Sequence, residues 1–102
     1  MKIEELKDKE GNVNIDVKII WIANEGKPMF GRTVQNAIAA NVDSEKGDGT
    51  PTAFLDIYDG DCGKFSVGDK IKITNAYTKL VKNDSGQFRI TNTKVMTKIV
   101  EE

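Results

Sequence analysis

The sequence predicts an all-β chain that closes into a small five-stranded antiparallel barrel. Three observations lead there. Apolar and polar residues alternate at period two in several separate segments. Clusters of Gly, Pro, Asn, Asp and Ser punctuate those segments. No stretch sustains a period of 3.6 over three turns, so helical content is small. Five strands in 102 residues favour a barrel, because closure removes exposed sheet edges. The length fits one domain spanning 1–102.

The first strand is the clearest. Val13, Ile15, Val17 and Ile19 share one face between polar neighbours. Alternation fails at Ile19-Ile20-Trp21-Ile22, the pattern of a bulge or bend that re-aims side chains. Asn24 to Pro28 reads as a loop. A second strand runs from about Arg32 to Val42, weakened by its alanines. Asp43 to Pro51 is dense in turn formers. The third strand is Thr52 to Tyr58, with Ala53, Leu55 and Ile57 on one face and Phe54, Asp56 and Tyr58 on the other. Asp59 to Gly63 is a turn, and the stretch Asp61 to Phe65 has room for one helical turn. The fourth strand starts at Lys70, where Ile71 and Ile73 alternate with Lys72 and Thr74. Lys82 to Gly86 is a hairpin-type loop. The fifth strand is Gln87 to Thr91, with Phe88 and Ile90 inward and Gln87, Arg89 and Thr91 outward. The tail from Lys94 to Val100 extends it or pairs elsewhere, and Ile3 and Leu6 allow one turn at the start.

Composition narrows the chemistry. The chain has no histidine and one cysteine, Cys62. That removes Ser-His-Asp and Cys-His catalysis, the usual zinc sites and any internal disulfide. No phosphate-binding glycine motif occurs. A non-enzymatic protein without metal or cofactor is the expectation. Asp56, Asp59 and Asp61 do not have the spacing of a calcium loop, and turn chemistry around Gly60 explains the last two. Acidic neighbours disfavour a Cys62 thiolate. Asn83-Asp84-Ser85 fits a glycosylation sequon but reads as a turn. The longest apolar run, Ile19 to Ala23, is far short of the ~20 residues of a membrane helix. Charges at the N-terminus fall where a signal peptide would be apolar, so the expected location is cytoplasmic.

Net charge is −1, but the charge is unevenly spread. Residues 1–62 carry 7 basic and 12 acidic side chains, whereas 63–100 carry 8 basic and 2 acidic. A basic half points to an anionic partner, against the plainer reading of solvated charges that segregate by chance.

Four segments, in order, carry a resemblance. Ile3-x-x-Leu6-Lys7 followed by Asn12-Val13-x-Ile15-x-Val17-Lys18 resembles the opening of archaeal single-stranded-DNA-binding proteins and of the OB domains of replication protein A. Leu55-x-Ile57-Tyr58-Asp59 is similar to the family's third strand. Phe65-x-Val67-Gly68-Asp69-Lys70-Ile71-Lys72-Ile73-Thr74-Asn75-Ala76-Tyr77 is the most specific match, and Gly86-Gln87-Phe88-Arg89-Ile90 resembles the fifth strand. The resemblance implies a Greek-key OB-fold barrel that binds single-stranded DNA in replication, recombination or repair. It also implies stacking aromatics at Tyr58, Tyr77 and the position of Val81, where this chain has no ring.

The residues support a groove independently. Phe54 and Tyr58 share the outward face of the third strand. Arg89 faces outward on the fifth, Arg32 lies by the first loop, and Lys79 and Lys82 flank the fourth-to-fifth connection. These are candidate phosphate contacts, while Lys27, Lys70 and Lys72 read equally well as solvated residues. Phe30 and Met29 belong to the first loop, as groove contacts or as a cap on the barrel mouth. Trp21 follows the alternation break, which leaves its face open. Asp56 on this face is able to accept a hydrogen bond from a base amino group. Base–aromatic stacking is indifferent to the 2′-hydroxyl, so RNA is an alternative ligand. A protein-interaction OB domain within a larger replication protein A-like assembly is the other alternative.

Overall fold

The alternation of Val13, Ile15, Val17 and Ile19 becomes the spine of a closed barrel, with all four side chains buried. The computed structural model describes residues 1–43, 51–81, 87–91 and 93–99. Its strands are β1 (Glu10–Ile22), β2 (Lys27–Met29), β3 (Arg32–Asn41), β4 (Thr52–Tyr58), β5 (Lys70–Leu80), β6 (Phe88–Thr91) and β7 (Val95–Lys98). The sheet runs β1-β3-β4-β6-β5, and β5 pairs back onto β1 to close it. This is the five-stranded OB-fold barrel. The β4–β6 pair is parallel, so the barrel is antiparallel in all its pairings but one. The two strands beyond the predicted five are additions to its rim. β2 forms a hairpin with β3, and β7 pairs with β5 at Ile71 to Thr74.

Inside lie Ile15, Val17, Ile19, Leu55, Ile57, Ile71, Ile73 and Ile90, joined by Phe65 and Met96. The alanines that weaken β3 as a sequence signal have a structural reason. Ala37 and Ala39 point into the barrel beside Ala53 of β4, where the narrow interior takes small side chains. The N-terminal turn, Ile3–Glu5, plugs one end with Ile3 and Leu6. Asn41 holds it there. Its Oδ1 accepts from the Ile3 amide at 2.7 Å and its Nδ2 donates to Glu4 at 2.7 Å. The Glu4 carboxyl is thereby lowered from its ordinary value, by its own backbone hydrogen bonding first and by Asn41 second. The helical turn between β4 and β5 is a single 3-10 turn at Asp59–Asp61.

Two irregularities aim the outer face. In β1 the pairing with β3 shifts between Ile19 and Trp21, leaving Ile20 as the extra residue of a bulge. Ile20 and Trp21 both turn outward as a result, and Ile22 packs back against the core. In β5 the inward set is Ile71 and Ile73, then Ala76 and Thr78. The change of parity falls at Asn75, which has φ of 56°. Asn tolerates this left-handed conformation better than most side chains. Its amide donates to Asn14 Oδ1 across the strand at 3.1 Å.

Among the described residues, no helix is long and apolar enough to cross a membrane. The turn formers 44–50, the loop residues 82–86 with Lys82 and the sequon, and residue 100 of the tail lie outside the described residues.

Candidate nucleic-acid interface

Cross-strand register draws one row of side chains around the outside of the barrel. Trp21 of β1 sits opposite Ile38 of β3, and Ile38 opposite Phe54 of β4. Phe54 lies beside Arg89 of β6, and Arg89 opposite Lys79 of β5. Directly opposed residues share a face, so all five barrel strands contribute to this row. Trp21 and Lys79 are exposed, and Ile38, Phe54 and Arg89 are half-buried. Trp21, Asn36, Ala37, Ile38, Phe54 and Arg89 together line an open groove of about 380 Å³.

Arg89 is anchored from below. Its guanidinium donates to Asp56 Oδ1, and its guanidinium carbon lies 5.3 Å from the centre of the Phe54 ring. Asp56 is 7% exposed, and a carboxylate that deep needs such a partner. This corrects the expectation for Asp56: its charge is engaged by Arg89 and it is not offered to a ligand. Arg89 keeps the outward position expected of it, with some of its five N–H donors beyond the pair.

A second row lies one step along. The Tyr58 hydroxyl hydrogen-bonds the Thr91 hydroxyl, and Tyr77 is opposite Thr91 in the β5–β6 pair. Thr91, expected outward, is buried because it lies between the two tyrosines. The Asn75 bulge is what places Tyr77 here. Uninterrupted alternation from Ile71 and Ile73 would point residue 77 into the core. The Arg32 guanidinium carbon sits 4.2 Å from the centre of the Tyr58 ring. Asp59 holds that guanidinium by contacts of 3.0 Å and 3.1 Å, and its other oxygen accepts from the Thr33 amide at 3.1 Å. The Asp59 carboxyl is lowered from its ordinary value, chiefly by the Thr33 amide and then by Arg32.

Phe30 does not cap the barrel mouth. It stands at the tip of the β2–β3 hairpin, 99% exposed, with Met29 also exposed. Phe30 and Gly31 both have positive φ, 50° and 79°, as a two-residue hairpin turn requires. Val81 is half-buried and its amide donates to the Gln87 carbonyl at 2.8 Å, so it closes the base of the β5–β6 connection.

The three aspartates that share a stretch of sequence have separate partners: Asp56 with Arg89, Asp59 with Arg32, and Asp61 with Lys64. The Cys62 thiol is half-buried and directed at the carbonyls of Ile57, at 3.4 Å, and Thr33, at 3.7 Å.

Of the residues singled out from sequence, Phe54 and Arg89 line the groove and Lys79 continues its row. Tyr58, Arg32 and Tyr77 form the adjacent row, and Phe30 stands apart at the hairpin tip. Trp21, Asn36, Ala37 and Ile38 complete the groove, and alternation alone does not show that Trp21 faces it. The signal for Trp21 was the break at Ile19-Ile20, whose direction depends on which residue bulges. No protein-family model matches this chain, and no curated protein does either.

Proposed function

We propose that this chain is a single-stranded-DNA-binding OB domain of the kind found in archaeal single-stranded-DNA-binding proteins and replication protein A. It acts without catalysis, in the cytoplasm, in replication, recombination or repair. The observation that carries the reading is the clustering of Phe54, Tyr58 and Tyr77 with Arg32, Arg89 and Lys79 on one outer face of β3 to β6. Bases stack on the rings, each stacked base contributing about 1–3 kcal/mol irrespective of sequence. Phosphates contact Lys79 and the outer N–H groups of Arg89 and Arg32, and release counterions. Phe30 reaches the strand from the hairpin.

A fluorescent single-stranded oligonucleotide, competed with duplex and with RNA of the same sequence, tests this. Single-stranded DNA is expected to bind well ahead of duplex. Duplex binding equal to or tighter than single-strand binding overturns the groove. The specific observation in favour of a protein-interaction domain is Val81, which supplies no ring where the resemblance expects one. A folded protein that ignores all three nucleic acids favours that second reading.

A further inference from the structure

We propose that the groove between Trp21 and Phe54 is a slot for one nucleobase, entered edge-first, with Ile38 as its floor and Asn36 at its polar side. This rests on the single-strand reading above and adds a subsite with its own ring, outside the positions of Tyr58, Tyr77 and Val81.

The register supplies the spacing. Trp21 and Phe54 both stand opposite Ile38, on β1 and β4, with β3 between them. Adjacent strands lie about 4.8 Å apart, so the two backbones are separated by about 10 Å. A flat ring held between two others needs two contact distances of about 3.5–4.0 Å each, or about 7–8 Å in all. The gap accommodates one base and the thickness of the flanking side chains. Ile38, half-buried, offers an apolar surface at the bottom. Trp21 has 49% of its surface exposed, more than is usual for an indole, and the bulge at Ile20 turns it outward.

The remaining lining residues select a base over an apolar peptide side chain. Asn36 is exposed on β3 and, among the described lining residues, is the one whose uncharged side chain both donates and accepts hydrogen bonds. Its amide offers both donors and acceptor to a base edge. At the other end the groove meets Arg89, and Lys79 follows in the same row. With Asp56 neutralising one of these two cations, a single positive charge remains where the phosphate attached to the inserted base would lie.

Trp21 is the chain's only tryptophan, so its fluorescence reports on this slot alone. Labelled oligo-dT and oligo-dA are titrated while anisotropy and tryptophan emission are followed together. The expected result is emission quenching with the same midpoint as the anisotropy rise. Trp21→Ala is expected to weaken binding about 5- to 150-fold, the value of one stacked base. Its circular dichroism should show a folded protein at the assay temperature, and Trp21→Phe should restore most of the affinity. Asn36→Ala should narrow the difference between dT and dA. An anisotropy rise with unchanged emission, together with wild-type affinity in Trp21→Ala, overturns the slot and leaves the single-strand reading standing. No anisotropy change with either oligonucleotide overturns both.

Discussion

The guanidinium of Arg32 lies over the ring of Tyr58, 4.2 Å from its centre, and Asp59 fixes it there from the side. Tyr58 is thus already stacked on one face, and its hydroxyl is tied to Thr91. A base approaching the end of β4 meets an arginine plane and an aromatic ring held in one arrangement. Arg32→Ala is expected to cost about 0.5–1 kcal/mol of stability, the value of an exposed cation–π contact. It should also make the log–log salt slope of single-strand binding shallower by about 0.7, one phosphate's share. Thermal melts and binding isotherms at several salt concentrations measure both. An unchanged slope would show that Arg32 serves Tyr58 alone.

Asp59 predicts a pH response. Its folded carboxyl is lowered by the Thr33 amide and Arg32, so the unfolded chain takes up a proton first as acid is added. Its contribution is complete above the ordinary aspartate value and is lost as pH falls from there through the lower folded value. Melting temperature in the wild type should therefore drop more steeply over that acid range than in Asp59→Asn. Parallel pH curves for the two proteins would contradict the assignment.

Tyr77 and Ile73 separate binding from folding. Tyr77→Ala should weaken single-strand binding by about 1–3 kcal/mol with little loss of stability. Ile73 is fully buried, and Ile73→Ala should cost about 2–5 kcal/mol of stability. Melting temperature and oligonucleotide affinity on both variants decide it. A Tyr77→Ala protein that melts far lower yet binds normally once folded would place the ring's value in packing.

The parity change in β5 is open to direct test. Asn75→Gly should keep the bulge, because glycine accepts positive φ without strain. Asn75→Val should destabilise by about 1–3 kcal/mol, since a β-branched residue resists that conformation. Binding should fall in Asn75→Val by more than stability explains if the strand straightens and Tyr77 turns inward. Equal stability of the two variants would mean that β5 does not need the left-handed residue.

Overall salt dependence should be modest. Neutralising three to five phosphates at about 0.7 each gives a slope of about −2 to −4. A flat response would place the basic residues away from the ligand.

Strands were legible where burial is one-sided. β4 runs from Thr52 to Tyr58 as its alternation indicates, and Phe54, Asp56 and Tyr58 do share the outer face. β2 has no sequence signal, because Lys27-Pro28-Met29 is exposed throughout and no apolar period marks it. β7 buries Met96 alone, too little for a pattern. The resemblance alone points Tyr77 outward, because the physical cause, a left-handed Asn75, is invisible to period counting. The Asp56–Arg89 pair joins β4 to β6 across 33 residues of sequence, a contact that only the parallel pairing creates.

The tie between Asp8 and the Leu80 amide spans 72 residues, and β1 needs β5 along most of its length. While the chain is being made, β1 waits for its second partner until Leu80 has left the ribosome. At about 5–20 residues per second that wait lasts about 4–14 s. Barrels of this size fold in milliseconds to seconds once complete. Synthesis therefore sets the pace, and during it Val13, Ile15, Val17 and Ile19 lie open to water on a strand that lacks first both partners and then one. The nascent chain is most exposed to chaperones and to mispairing in this interval, and the emergence of β5 ends it.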